Sequence, residues 1–286
     1  MFEEKNKNLS LAILVILVGL DIFLWFNILF FSKEENKIYF LDVGQGDSSL
    51  IILENISILI DAGPSSKIIQ SLDKVFSKSK KYIDLAIITH PELDHFGGFL
   101  KLLDSYKFGL FIINGRKAEG SEIFYEDLIK KIKNRNISII TLLAGDKILY
   151  KDNLIEIISP DKNWWSSADL NDTGLVLKIK NKNFQSLFTA DIGQNLENYL
   201  AKKFDLKSDI LKVAHHGSKY SSGASFLKEV SPSLALVGVG LNRYGHPSAE
   251  VIDRFQHFKI PIFRTDQHGT MLIFKKDNKF IVKTQK

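Results

Sequence analysis

Hydrophobic residues from position 38 onward follow two periodicities that recur in mixed order. Short apolar runs bounded by turn residues predict strands, and apolar residues three or four positions apart predict helices, as at Ile68, Leu72 and Val75. The predicted strands are 37–44, 48–54, 56–63, 83–89, 108–114, 137–150, 153–160, 173–181, 185–191, 209–216, 234–240, 270–276 and 279–284. The predicted helices are 65–79, 97–106, 121–136 with Ser121 as N-cap, 195–204, 222–230 and 248–258. Helices recur between strands in both halves, which predicts the α/β class with sheets packed between helices.

The N-terminal pattern is different, because residues 9–31 are apolar apart from Ser10, Asp21 and Asn27. Roughly 20 apolar residues in a helix are enough to cross a bilayer. A cleaved signal peptide has a shorter apolar core and a small-residue cleavage site, so the pattern predicts an uncleaved transmembrane signal anchor. Lysines flank both ends, so the positive-inside rule leaves its orientation open. The predicted organisation is a tail at 1–8, the anchor at 9–31, a linker at 32–37 and one large domain at 38–286.

Composition narrows the chemistry available to this domain. The chain has 286 residues, a formal net charge of +5 and no cysteine. Disulfides and thiolate metal ligands are therefore excluded, and any metal must be held by His, Asp or Glu. The mildly basic balance suits phosphate-rich partners.

Metal-competent residues follow four of the apolar runs at the point where each run ends. The stretch "HPELDH" follows 83–89, Asp191 follows 186–190, and the pair His215–His216 follows 209–214. His246 follows the run 234–240 after a short loop. Ligands of layered α/β folds gather at the carboxyl ends of strands, so these groups are expected to meet.

The spacing within "HPELDH" predicts two neighbouring cation positions. His90 and Glu92 point to one side of an extended backbone, while Asp94 and His95 lie where the chain turns into the next helix. Asp191 is expected to bridge the two positions, and one histidine of the adjacent pair to complete the second. Two cations held in this way acidify a shared water and clamp a phosphoryl group.

Three further groups are expected around this centre. Asp47 lies in "GQGD", which lacks the lysine of a phosphate-binding loop, so a tight turn that hydrogen-bonds a metal ligand is predicted. His246 is expected to orient a substrate oxygen or to donate a proton, the alternative being a loop histidine without a role. Ser218 is expected among the residues that contact the substrate.

The combined motifs resemble the metallo-β-lactamase superfamily, and within it the hydrolase domain of the ComEC competence proteins. The similarity extends from about residue 38 to the C-terminus. Its motifs are "FLDVGQGDSSLI", "LIDAG", "THPELDHFGG", "NDTGLVLKI", "LFTADI", "KVAHHGSKYSS", "NRYGHPS" and "RTDQHGTMLI". The resemblance implies a four-layer αββα sandwich with a metal site at one edge. It also implies a phosphodiesterase-like or nuclease-like activity, which in the competence family acts on the DNA strand that is not imported.

Two departures from the family pattern affect the expected metal. Glu92 stands where the superfamily has His and the ComEC branch commonly has Asp, and the third histidine of the first metal is missing. Asn171 and Asp172 occupy the matching region. A carboxylate-rich shell favours Mn or Mg beside Zn, as one or two divalent ions.

The sequence thus predicts a membrane-anchored, metal-dependent hydrolase that cleaves DNA. The predicted metal ligands are His90, Glu92, Asp94, His95, Asp191 and His215, which is preferred over His216 because it directly follows the strand. Asp94 and His246 are the predicted catalytic residues, and Asp47, His216 and Ser218 are predicted to bind the substrate.

The expected partners follow from the same resemblance. One span cannot conduct DNA, so the protein is expected to be either a stand-alone relative or a part that needs a separate channel protein as its partner. The resemblance favours a domain outside the cytoplasm at the cell membrane. Basic segments at 77–81, 115–117 and 130–135 are candidates for nucleic-acid contact, but aromatic residues do not interleave them. Two alternatives stay open: a hydrolase of small esters, other phosphodiesters or lactones, and a catalytically inactive binding module.

Overall fold

The computed structural model describes residues 2–31, 36–76 and 81–286, which form two units, Met1–Glu35 and Asn36–Lys286. The first unit contains one helix, α1 (Phe2–Phe31). The predicted segment 9–31 is therefore helical, but within the described ranges no helix reaches the combined length and apolarity that a membrane span requires. Most of the predicted linker, residues 32–35, lies outside the described residues.

The second unit is built from strands and helices that alternate along much of its length. Its strands are β1 (Lys37–Phe40), β2 (Ser49–Leu53), β3 (Ile56–Ile60), β4 (Tyr82–Ile87), β5 (Lys107–Ile113), β6 (Ser138–Thr141), β7 (Lys147–Tyr150), β8 (Asn153–Ser159), β9 (Val176–Lys180), β10 (Gln185–Phe188), β11 (Ile210–Lys212), β12 (Leu234–Val237), β13 (Ile262–Arg264), β14 (Met271–Lys276) and β15 (Lys279–Thr284). Its helices are α2 (Lys67–Val75), α3 (Leu93–Phe96), α4 (Phe99–Leu102), α5 (Glu122–Asn134), α6 (Lys162–Trp165), α7 (Gln194–Lys203), α8 (Ala224–Val230), α9 (Ala249–His257) and α10 (Thr265–His268). Short 3₁₀ turns cover Asn171–Thr173 and Ala214–Gly217.

The strands of the described residues form two sheets, which pack face to face. The order in the first sheet is β15-β14-β1-β2-β3-β4-β5-β6, and in the second β13-β12-β11-β10-β9-β8-β7. An apolar core with side chains from both sheets, such as Ile51 and Leu177, separates them. Two further cores lie on the outer faces, one beneath helices that include α2 and α5 and one beneath α7, α8 and α9. The predicted α/β architecture of two sheets between helices is confirmed.

Several predicted boundaries differ from the observed ones. The predicted strand 137–150 is divided into β6 and β7, which lie at the edges of different sheets because Gly145, at φ +101°, turns the chain between them. Helix α5 begins directly after Ser121, as predicted, but the Ser121 hydroxyl makes no capping hydrogen bond. The short strand β13 and the short helices α3, α6 and α10 were not predicted, since each has too few residues to establish a periodicity.

Parallel pairing within each sheet, together with the packing of the two sheets, brings the predicted site residues together. In the first sheet β3 and β4 are parallel neighbours, and in the second β10, β11 and β12 are parallel neighbours. The segments that follow β4, β10 and β11 contain His95, Asp191 and His216. Their side chains meet at one end of the sandwich, between the two sheets.

Candidate metal centre

Four buried side chains form a group whose ligand atoms all lie within 4.8 Å of one another. They are Asp47, His95, Asp191 and His216. Asp191 lies at the centre of the group, because its Oδ2 atom is 3.4 Å from Nε2 of His95 and 3.3 Å from Nε2 of His216. Asp94 adds a second carboxylate, with Oδ2 3.1 Å from Nε2 of His216.

His95 is held by a carboxylate on the side away from this group. Its Nδ1 atom lies 2.9 Å from Oδ2 of Asp61, which follows strand β3. A carboxylate accepts hydrogen bonds, so Nδ1 carries the hydrogen and Nε2 faces Asp191. A histidine–carboxylate pair of this kind fixes the ring orientation of metal-binding histidines.

The ring orientation of His216 is likewise fixed through its Nδ1 atom, here by a backbone carbonyl. Its Nδ1 atom donates to the carbonyl of Gly238 over 2.7 Å. A carbonyl only accepts, so Nδ1 is protonated and Nε2 is the atom that faces Asp94 and Asp191.

His90 is also oriented by a hydrogen bond at its Nδ1 atom, in this case with Thr89. The Thr89 hydroxyl donates to Oδ2 of Asp61 over 2.8 Å and therefore accepts from His90 Nδ1, 3.0 Å away. Nε2 of His90 is buried and has no hydrogen-bond partner among the residues that the structure describes. The Glu92 carboxylate lies beyond hydrogen-bond range of that nitrogen, with its Oε2 atom 3.8 Å away.

Buried groups of opposite charge shift one another's pKa values in this cluster. Burial lowers the pKa of His95, but Asp191, Asp61 and Asp94 outweigh it and hold this pKa well above its usual value. Burial likewise raises the pKa of Asp191, but His216, Lys212 and His95 outweigh it and hold that pKa well below its usual value. Protons on the imidazoles thus balance the carboxylates here. A divalent ion bound to the same nitrogens would replace them, so the donor set fits such an ion.

Lys212 was not identified in the sequence, although it is a charged residue within the otherwise apolar strand β11. Its ammonium group is buried and contacts Asp47, the carbonyl of Ala190 and Oδ1 of Asp191, the last over 3.2 Å. Asp47 therefore lies inside the centre, between Lys212 and His216. Asp61 was also missed, although it ends the run "SILID" as Asp191 ends "SLFTAD".

The structure brings His216 into the cluster where His215 was preferred. Both residues have left-handed backbone angles, with φ of 50° and 52°, so the chain turns sharply between them. The His215 ring points instead toward His246, with ring centroids 5.6 Å apart. Because of this turn, the ring of the histidine nearer the strand points away from the cluster.

The remaining predicted residues surround the cluster. His246 is half-buried, and within the described part of the chain its Nδ1 atom has no hydrogen-bond partner. Ser218 is buried, and its hydroxyl accepts from the backbone N–H of Tyr220 over 3.4 Å. In the region of the missing histidine, Asp172 accepts from the backbone N–H of Gly193 over 2.8 Å and is therefore turned to that loop.

The two-sheet sandwich and its strand-end cluster of histidines and carboxylates define a class of metal-dependent hydrolase fold. The chain belongs to the Metallo-beta-lactamase superfamily, whose profile matches residues 41–240. It is similar to the ComE operon protein 3 of Bacillus subtilis, with 30% identity over 84% of this chain and 33% of that protein. It is also similar to the competence protein ComA of Neisseria gonorrhoeae, with 28% identity over 84% of this chain and 32% of that protein. The resemblance to the competence branch is therefore confirmed, and the chain spans about a third of the length of these relatives.

Solved structures agree on the fold. The metallo-beta-lactamase fold protein YhfI of Bacillus subtilis matches with a TM-score of 0.55 and 12% identity, covering 82% of this chain and 98% of YhfI. The metallo hydrolase Igni18 of Ignicoccus hospitalis matches with a TM-score of 0.54 and 14% identity, covering 84% of this chain and all of Igni18. At these identities the likeness concerns the fold alone.

Proposed function

We propose that this protein is a metal-dependent phosphodiesterase that cleaves DNA. The observation that carries the proposal is the arrangement of His90, His95 and His216. Each Nδ1 is hydrogen-bonded to Thr89, Asp61 or Gly238, so each Nε2 is left as the nitrogen that can bind a cation. Three imidazoles fixed in this way beside carboxylates are suited to divalent cations.

The ligands divide into two groups around Asp191. Asp94, His95 and His216 would hold one ion, while His90 and Glu92 would hold another more weakly, because the usual third histidine is absent there. A bound divalent ion acidifies water and stabilises negative charge on phosphoryl oxygens. His246, whose Nδ1 has no hydrogen-bond partner among the described residues, would contact a substrate or leaving-group oxygen.

Membrane anchoring belongs to the same proposal. The 30-residue helix α1 contains the apolar segment 9–31, and the curated relatives are competence proteins. We place the catalytic unit at the outer face of the cell membrane, with a separate DNA-channel protein as its partner. Fractionation of cells, with protease added to intact cells and to lysates, tests both the anchor and the side on which the domain lies.

The central experiment is a divalent-ion series on fluorescent single- and double-stranded DNA. Chelated protein should be inactive and should recover cleavage with Mn²⁺, Mg²⁺ or Zn²⁺. Asp191→Asn should remove cleavage because it removes charge from the shared ligand. Asp127→Asn is a matched control, since Asp127 pairs with Lys131 on the surface of α5. Metal-restored cleavage by Asp191→Asn at the parental rate would contradict the proposal.

A catalytically inactive binding module is the second candidate. The observation in its favour is Asn171, which lies in the region where the superfamily has a metal-binding histidine. Metal analysis at neutral pH separates the two, because an inactive module would retain well under one ion per chain. A panel of small esters and lactones tests the remaining hydrolase alternative.

A further inference from the structure

Two loops beside the metal centre are in direct contact. They are residues 217–222, which follow β11, and residues 240–247, which follow the neighbouring parallel strand β12. The backbone N–H of Ser248 donates to the carbonyl of Gly217 over 2.9 Å. Gly217 has φ +83°, and a Cβ at this residue would lie 2.5 Å from Cβ of Pro247, so only glycine allows the two loops to approach this closely.

Each loop carries a basic residue followed by an exposed tyrosine. The pairs are Lys219–Tyr220 and Arg243–Tyr244. The tyrosines are 69% and 76% exposed, which is unusual for large aromatic side chains. The Lys219 ammonium group lies 5.1 Å from the centre of the Tyr220 ring, so charge and ring share one surface.

The loop that carries Tyr244 is held by Asn242. Its side-chain oxygen accepts from the backbone N–H groups of Tyr244 and His246, over 3.1 and 3.0 Å. Its amide group donates to the carbonyls of Gly240 and His246, over 2.9 and 2.8 Å. Tyr244 therefore projects from a fixed backbone, and little ordering entropy would be lost when a ligand stacks on it.

The loop that carries Tyr220 is held by side chains from two helices. Gln194 of α7 donates to the carbonyl of Lys219 over 3.1 Å, and Arg254 of α9 donates to the same carbonyl over 3.0 Å. The backbone N–H of Gln194 also donates to the carbonyl of Tyr220 over 2.9 Å. Both exposed tyrosines thus project from loops whose backbone is held by hydrogen bonds.

Aromatic rings connect Tyr244 to the metal centre. Its ring centre lies 5.7 Å from that of His246, which lies 5.6 Å from His215. The His215 ring lies 6.2 Å from that of His216, which reaches the cluster. A chain bound with one phosphodiester at the cluster can therefore extend along this path to the exposed tyrosine.

We propose that the two loops form a binding subsite for single-stranded DNA, which rests on the proposed nuclease function. Unpaired bases stack on Tyr220 and Tyr244, and the phosphates between them contact Lys219 and Arg243. Grooves that bind single strands combine these two features, aromatic platforms and positive charge. In a duplex both faces of each internal base are already covered by neighbouring bases, so this subsite selects single strands.

Binding under chelating conditions tests the subsite without cleavage. Fluorescence anisotropy would compare a labelled single-stranded 16-mer with a 16-mer of the same backbone in which tetrahydrofuran units replace the nucleosides. Stacking contributes about 1–3 kcal/mol per base, so Tyr244→Ala and Tyr220→Ala should each weaken binding of the normal strand by roughly 5- to 150-fold. Tyrosine-to-phenylalanine variants should retain it, because the ring is kept.

The abasic strand provides the discriminating comparison. The alanine variants should bind it as weakly as the parental protein does, whereas Lys219→Ala and Arg243→Ala should weaken binding of both strands and reduce the salt dependence. Phe124→Ala is the control, since Phe124 is an exposed aromatic residue on α5, outside both loops. Parental affinity of both tyrosine variants for the normal strand, or an equal loss on the abasic strand, overturns the subsite.

The same proteins separate this inference from the proposed function. Cleavage is then measured with Mn²⁺ added. The subsite is rejected and the nuclease function retained if the parental protein cleaves both the normal and the abasic 16-mer and the tyrosine variants have an unchanged KM. The nuclease function is rejected instead if the tyrosine variants lose affinity for the normal strand but not for the abasic strand, and no protein cleaves either strand with any ion.

Discussion

The Nζ atom of Lys212 lies 3.2 Å from Oδ1 of Asp191, inside the candidate metal centre, where both side chains are almost completely buried. Burial lowers the pKa of Lys212, but Asp47 and Asp191 outweigh it and hold this pKa above its usual value, so the group stays charged. One oxygen of Asp191 is thereby occupied, and the other faces His95 and His216. Lys212 thus acts as a permanent cation that offsets part of the carboxylate charge before any metal binds.

Replacing Lys212 with methionine should therefore destabilise the metal-free protein. The carboxylates of Asp47 and Asp191 would be left buried without this cation, and breaking a buried pair from one side costs about 3–5 kcal/mol. Urea unfolding in the presence of a chelator measures the loss. Added Mn²⁺ should restore more stability to Lys212→Met than to the parental protein, because the ion supplies the missing charge.

A surface pair provides the control for this experiment. Lys131 and Asp127 are 3.1 Å apart on the exposed face of α5. Pairs of this kind contribute about 0–1 kcal/mol, so Lys131→Met should change stability little. Equal losses in Lys131→Met and Lys212→Met would show that the buried pair has no special role.

Strand ends were predictable because they depend on local pattern. His90, His95 and Asp191 each follow an apolar run. Parallel pairing aligns the strand ends within each sheet, and the packing of the two sheets brings the two sets of ends together. The α/β class, with sheets packed between helices, followed in the same way from the alternation of strands and helices, whereas the four-layer sandwich was implied by the resemblance to the metallo-β-lactamase superfamily.

Side-chain direction at a sharp turn was not predictable in this way. His215 and His216 have the same residue type, and only their left-handed backbone angles decide which ring enters the cluster. Lys212 and Asp61 were missed because each depends on partners more than 20 residues away, such as Asp191 and His95. Tertiary interactions of this range leave no periodic signal in the sequence.

Asp61→Asn should weaken metal binding without a direct change to any proposed ligand. Asp61 accepts hydrogen bonds from the N–H and hydroxyl of Thr89 and is paired with His95, and an amide has only one oxygen to replace these interactions. Loss of such supporting carboxylates typically reduces metal affinity 10- to 100-fold. Calorimetric titration of chelated protein with Mn²⁺ measures the change. Thr89→Ser keeps the hydroxyl and should retain nearly the parental affinity, and a similar loss in both variants would contradict the assignment.

The two adjacent histidines should respond differently to the same substitution. Asparagine tolerates left-handed backbone angles, so His215→Asn and His216→Asn both preserve the turn. His216→Asn should lose at least tenfold in metal affinity, because Nε2 faces Asp94 and Asp191. His215→Asn should retain the parental metal content, measured by elemental analysis after dialysis. The reverse result would restore His215 as the ligand.

A further titratable group lies away from the proposed ligands, at Glu197 of α7. Burial raises its pKa to about 7, even though the backbone N–H groups of Gly223 and Ser222 favour the charged form. These two groups donate over 2.8 and 2.6 Å. The carboxyl group is thus buried among partners that only partly compensate for its charge.

Glu197→Gln should change the pH dependence of stability in a defined direction. The folded pKa, about 7, is above the usual value of 4.5, so protonated Glu197 contributes stability that is fully present below pH 4.5 and is lost as the pH rises through 7. Glutamine does not titrate, so the free energy of unfolding of the variant, relative to the parental protein, should rise by about 2–3 kcal/mol between pH 5 and pH 8. Any hydrogen bond that the glutamine amide fails to make adds an offset that does not vary with pH. Urea unfolding of both proteins with chelator across this range measures the difference, because the ionisation of the metal centre is common to both. A constant difference across the range would show that Glu197 ionises with an ordinary pKa in the folded protein.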